Sequence, residues 1–180
     1  MERYGGGRIA IVEYDPAWPA MFEDERAVIR RTLGALVVNI EPIGSTAVEG
    51  LPSKPIIDLL VTVRSLAEAR TFCVAPLEAL GYTYMPEYES WLPEELFFRK
   101  RMPAPWTHHV HVVEPSHARR QEWLLFRDYL RAHADVARAY AELKKTLAET
   151  CGEDIACYRT GKNAFVQSVV AKARAEIAQR

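Results

Sequence analysis

No stretch of the 180 residues is apolar over the ~20 positions that a membrane-spanning helix needs. The polar, glycine-rich start, Met1 to Gly7, lacks the apolar segment of a secretory signal. Cysteine is scarce: Cys73, Cys151 and Cys157 form no CxxC pair, which excludes the common zinc frameworks and makes three reduced thiols the simplest expectation. There is no internal repeat, no Ser/Gly linker and no block of like charge, so residues 1–180 read as a single domain. A Gly-x-Ser-x-Gly elbow, a Walker lysine loop, a dinucleotide fingerprint and a cysteine in nucleophile context are all missing.

What is present is a globular composition, 49% hydrophobic, 26% charged and 10% aromatic, which excludes a disordered or low-complexity chain. At this length folding hides roughly 70% of the chain's surface, enough for a real core. The expectation is a soluble cytoplasmic domain with no membrane contact. The net charge of −1 argues against bulk nucleic-acid binding, which asks for a dominant basic surface. The charge is nevertheless uneven: residues 1–98 carry 8 basic and 15 acidic side chains, residues 99–180 carry 15 and 9. Two readings follow, internal pairing of the halves or a cleft with carboxylates on one wall and phosphate-binding arginines on the other.

Periodicity and punctuation place the elements. Ile9–Glu13 reads as a first strand, and Asp15-Pro16 opens a helix that Gly34 ends. Leu36–Ile43 is a second strand, broken near its end by Pro42, and Gly44–Lys54 is a loop with one helical turn. Ile56–Val63 is a near-continuous apolar run, as in a strand buried on both faces. Ser65 and Glu68 form a capping box for a helix reaching Leu80, with Gly81 just past its end. Strands at Tyr82–Met85, Glu95–Arg101 and Thr107–Glu114 follow, then helices over 117–132, 135–149 and about 160–178. The fold class is α/β, or α+β with an antiparallel sheet, closed by a helical C-terminal part.

The most informative stretch runs from Glu41 to Asp58. A strand ends in Gly44-Ser45, a small-residue turn follows, and the next strand carries an embedded acid. Glycine lets the backbone approach a ligand closely, while turn N–H groups with the Ser45 and Thr46 hydroxyls can hold phosphate oxygens. Asp58 could hold the divalent ion that accompanies phosphates. The alternative is an ordinary tight turn beside a structural aspartate. Three further groups carry chemistry. His109 and His111 share one face of their strand and with Asp58 could hold one transition metal, supply a general base, or serve as hydrogen-bonded cleft residues. Arg99 and Arg101 share a face and suit either bidentate phosphate contacts or a solvated strand end. Arg120, Leu124, Arg127 and Arg131 form a stripe, in which Arg127 beside Asp128 is a structural pair or a phosphate clamp.

Several ordered segments together resemble the GrpB family, a group similar to the nucleotidyltransferase superfamily of polymerase-β-like enzymes. They are Tyr14-Asp15-Pro16-Ala17-Trp18-Pro19, Ile43 to Val48, Lys54-Pro55-Ile56-Ile57-Asp58, His109 to Val113, Phe126 to Arg131, Tyr140 to Lys144, Tyr158 and Gly161-Lys162. The resemblance implies a nucleotidyltransferase-like core with a mixed sheet and a C-terminal helical cap. It also implies a nucleoside triphosphate or related small phosphate ligand, bound with Mg²⁺ or Mn²⁺ in preference to Zn²⁺. Gly44 and Ser45 match the superfamily turn and Asp58 its first acid, but the second acid falls at Leu60. Pro42 and Glu49 also depart from the family pattern, and Glu49 is either a replacement carboxylate or an exposed loop acid. Lys144, Tyr158 and Lys162 match family positions and could reach a ligand from the last helices. Three functions remain open: nucleotidyl transfer, non-catalytic binding of a nucleotide or phosphometabolite with a link to coenzyme A metabolism, and hydrolysis by a metal held on Asp58, His109 and His111.

Overall fold

The computed structural model describes residues 8–92, 94–101 and 106–179. Its centre is a five-stranded mixed sheet: β1 (Val37–Ile43), β2 (Ile57–Val63), β3 (Tyr82–Tyr84), β4 (Glu95–Arg101) and β5 (Trp106–Val113), in the order β1-β2-β5-β4-β3. Only β2 and β5 run parallel, and every other neighbouring pair is antiparallel. Pro42 does not interrupt β1, because this is an edge strand and can spare one donor.

Helix α1 (Trp18–Leu33) begins two residues later than expected, after Asp15 Oδ1 accepts the Ala17 N–H at 2.9 Å. Its buried stripe of Trp18, Phe22, Ile29 and Leu33 lies on the sheet face that carries Leu59, Val61, Val110 and Val112. The Ser65 cap holds, its Oγ accepting the Glu68 N–H at 3.2 Å. The single helix expected to Leu80 is instead two, α2 (Leu66–Phe72) and α3 (Val74–Ala79). Pro76 explains the break, since it has no N–H for the Phe72 carbonyl four residues back. The strand expected at Ile9–Glu13 reduces to one bridge between Val12 and Ser53.

The opposite sheet face receives helix α4 (Ala118–Ala132), against which α5 (Ala134–Cys151) and α7 (Asn163–Ala178) pack, with α6 (Ile155–Gly161) on α5. Helix α6 was not expected as a separate element; the Asp154 carboxylate caps it, accepting the Cys157 N–H at 3.0 Å. It turns back on the end of α5, and Cys151 and Cys157 are joined in a disulfide with Cα atoms 5.7 Å apart. The expectation of three reduced thiols therefore holds only for buried Cys73. No helix among the described residues is long and apolar enough to cross a membrane.

Candidate functional site

Strand register aligns the polar side chains beneath the C-terminal helices. One row across the sheet reads Ile43, Asp58, His109 and Arg99, and the next reads Glu41, Leu60, His111 and Phe97. The first row, with the Gly44-Ser45 turn at its end, forms the floor of a cleft of about 570 Å³ walled by α4, α5, α6 and the segment around Trp91.

Asp58 Oδ1 meets His109 Nδ1 at 3.0 Å. Burial works to raise the Asp58 pKa, but the His109 hydrogen bond and the charges of His109, His111 and Lys54 outweigh it and hold the carboxyl below its usual range. Burial pushes His109 down despite that same carboxylate, so at neutral pH a neutral imidazole faces an ionised acid. Nδ1 then carries the proton it donates to Asp58, and buried Nε2 presents a lone pair with no partner among the described residues. Gly44 makes this arrangement possible. Its φ is +72°, and a β-carbon there would lie 2.3 Å from Asp58 Oδ2. The second histidine, His111, pairs through Nδ1 with buried Glu95 at 2.5 Å. Burial raises the Glu95 pKa, and the charges of His111, Arg119 and His117 with the His111 hydrogen bond more than reverse this.

A nest of lysines closes over the turn. Lys144, 1% exposed, donates to Ser45 Oγ at 2.9 Å and to the Pro52 carbonyl. The Lys162 and Lys54 ammonium groups lie 4.6 and 5.4 Å from the centre of the Tyr158 ring. Burial, reinforced by Lys162 and Lys54, pushes the Lys144 pKa down to about 7. Burial and Lys54 bring Lys162 to about 8 in spite of Asp58. Arg99 lies over the rings of Tyr88, Phe97 and Trp106 at 5.2 to 5.5 Å and donates to the Tyr88 hydroxyl.

Gly44, Ser45, Lys54, Asp58, Arg99, His109, His111, Lys144, Tyr158 and Lys162 thus meet in one cleft. Two expected ligand residues do not join them. The Thr46 hydroxyl is buried and donates to the Ile56 carbonyl at 3.1 Å, on the far side of the loop. Arg127 donates to the Pro42 carbonyl at 2.8 Å and pairs with Asp128, which makes it a docking side chain of α4. Glu49 is exposed and faces a separate cavity of about 720 Å³ between α1, the loop and α5. The Arg101 side chain lies outside the described residues. Glu95, Arg119 and Arg159 line the cleft without having stood out in the sequence. The only available signal for Glu95 was a charge at the head of a strand whose third position, Phe97, pairs with His111.

A mixed sheet with a Gly-Ser turn leading into an acid-bearing strand and a helical cap is a nucleotidyltransferase-like fold. A chain of the GLD-2/RNP-8 complex superposes with a TM-score of 0.58 at 12% identity, over 88% of this chain and 60% of its own, a likeness of fold alone. Within that class the chain belongs to the GrpB family, whose model, described as GrpB protein, matches residues 8–172. The GrpB protein of Enterococcus faecalis has a TM-score of 0.85 and 34% identity, over 93% of this chain and 99% of that one. A UPF0157 protein of Pseudomonas aeruginosa is 43% identical over 172 residues, 93% of this chain and 69% of that one. A dephospho-CoA kinase of Mycobacterium leprae matches at 27% identity over 87% of this chain but only 44% of its own length.

The two-ion set implied by the fold does not fit these residues. Leu60, at the second acid's position, is wholly buried with Ile43 and Val113, and Trp123 and Leu124 pack against them. The helix that caps the site thus covers the second acid's position with hydrocarbon. His111 is held by Glu95, and among the described residues no three His, Cys, Asp or Glu side chains converge as a metal set.

Proposed function

We propose that this protein binds a nucleoside triphosphate or a related phosphate compound in the cleft beside the Gly44-Ser45 turn, and that it acts as a binding module. The observation that carries this is Lys144. A buried ammonium group is strongly disfavoured unless a negative charge meets it, and no carboxylate is paired with it among the described residues. An anion seated on Ser45 supplies that charge. Exposed Trp91 offers a flat face on the cleft wall for a nucleobase. Leu60 favours binding over nucleotidyl transfer, because anion recognition survives the loss of an acid that two-ion chemistry requires. The kinase relative makes dephospho-coenzyme A a ligand worth including beside ATP and GTP.

Calorimetric titration of the protein with ATP, GTP and dephospho-coenzyme A, each with and without Mn²⁺, tests the reading. Saturable 1:1 binding to at least one of them is expected, weakened about tenfold in Ser45→Ala through loss of one charge-assisted contact. Absence of binding to all three under every condition would overturn it.

A further inference from the structure

Two features of the cleft point the same way. The place of a second metal-binding acid is sealed by Leu60, Val113 and Trp123, so the charge of a phosphate chain cannot be met by a pair of ions there. In their stead the cleft holds Lys54, Lys144 and Lys162, brought together from the loop, α5 and the α6–α7 junction. Lys144 spends two of its three donors on Ser45 and the Pro52 carbonyl, leaving one. Of the two carboxylates that line the cleft, Asp58 is already engaged with His109 and Glu95 with His111. Lys54, Lys144 and Lys162 outnumber these two carboxylates, and Lys162 and Lys54 weaken the hold of Lys144 on its proton as Lys54 weakens that of Lys162. A compact polyanion relieves that repulsion at all three together.

We infer that this cleft takes its phosphate chain as the free anion, with the ammonium groups of Lys54, Lys144 and Lys162 in the role that divalent ions fill beside an acid pair. The inference rests on the phosphate-ligand reading above and narrows it to di- and triphosphates not complexed with metal. A ligand already neutralised by Mg²⁺ has less to offer the lysines, so the ion competes with the protein for the phosphate chain.

The test is titration of the full 180-residue chain with inorganic tripolyphosphate and with ATP, in EDTA and again in excess Mg²⁺. Binding in EDTA is expected, weakened severalfold by Mg²⁺. Lys144→Met and Lys162→Gln should each lower the affinity in EDTA about tenfold or more, as loss of a charge-assisted contact does. Lys162 is half-buried, so its variant keeps the fold, which thermal melts of both variants check. Binding that requires Mg²⁺ or Mn²⁺ overturns the inference and leaves the phosphate-ligand reading standing. Parent-like binding by both lysine variants also overturns it. No binding in either medium removes both.

Discussion

Gly44 is where the turn and the acid meet, and both its φ and its neighbour exclude a side chain. With φ at +72° and Asp58 Oδ2 2.3 Å from where a β-carbon would stand, Gly44→Ala must displace either the turn or the carboxylate. The expected result is a loss of about 1–3 kcal/mol in stability with at least tenfold weaker ATP binding. Gly50→Ala is the control, since Gly50 has a similar φ of +73° and open space around it. It should lose about 1 kcal/mol and bind normally. Urea midpoints and titrations of the two variants decide; equal binding by both would show that the Gly44–Asp58 contact is dispensable. At this scale the sequence disclosed what is local. Gly44, Ser45 and Asp58 sit within one short stretch whose chemistry reads off in order. Spacing alone makes Lys144 one more helix lysine, and only the family resemblance marks it, because its partner Ser45 is 99 residues away; Glu95 acquires meaning only with β4 in register with β5.

Among the elements, α4 shows how a stripe suggestive of ligand binding becomes a docking device. Arg120 reaches Thr62 Oγ1 and Glu41, each at 3.2 Å, Arg127 reaches the Pro42 carbonyl, and Arg131 reaches the Ala47 carbonyl at 2.9 Å. All three fasten the helix to β1, β2 and the loop. Arg127→Ala should therefore lower stability by about 1–3 kcal/mol, by leaving a part-buried carbonyl without its donor, and leave ATP affinity within twofold. Lost affinity with an unchanged urea midpoint would return Arg127 to the ligand. Spacing alone could not separate these roles, because a helical stripe states which residues share a face and not what the face meets. The strands were easier: β4 has its expected ends, Glu95 and Arg101, because alternation and flanking breaks agree there. The split at Cys73 was signalled by Pro76, and α6 was hidden by its short length and the polar turn before it.

Over the whole molecule the acidic and basic halves pair in places, as Glu13–Lys145, Glu25–Lys100 and Glu41–Arg120 show. The lysine nest is the exception, and its proton balance sets a pH dependence for the fold. Lys144 and Lys162, with pKa values lowered to about 7 and about 8 from 10.5, release protons in the folded state that the unfolded chain keeps. Wherever the unfolded state binds more protons, stability rises with pH, so the penalty these two buried charges impose on the fold lifts progressively above about pH 7. At higher pH the slope reverses. Burial raises Cys73 to about 11 and raises Tyr140 and Tyr82 too, so the unfolded chain loses those protons first from about pH 9 upward. The urea midpoint of the ligand-free protein should thus climb between about pH 7 and about pH 9. A Lys144→Met, Lys162→Met double variant should show little of that climb and should exceed the parent's midpoint at pH 7, where the buried charges oppose folding most. Tripolyphosphate should flatten the parent's profile by returning protons to both lysines, and the same uptake should make the binding heat at pH 8 vary with the ionisation enthalpy of the buffer. A parent midpoint that stays level from pH 7 to pH 9 while the double variant gains no stability would mean that the nest is already neutralised within the fold, and that the cleft has no charge to offer an anion.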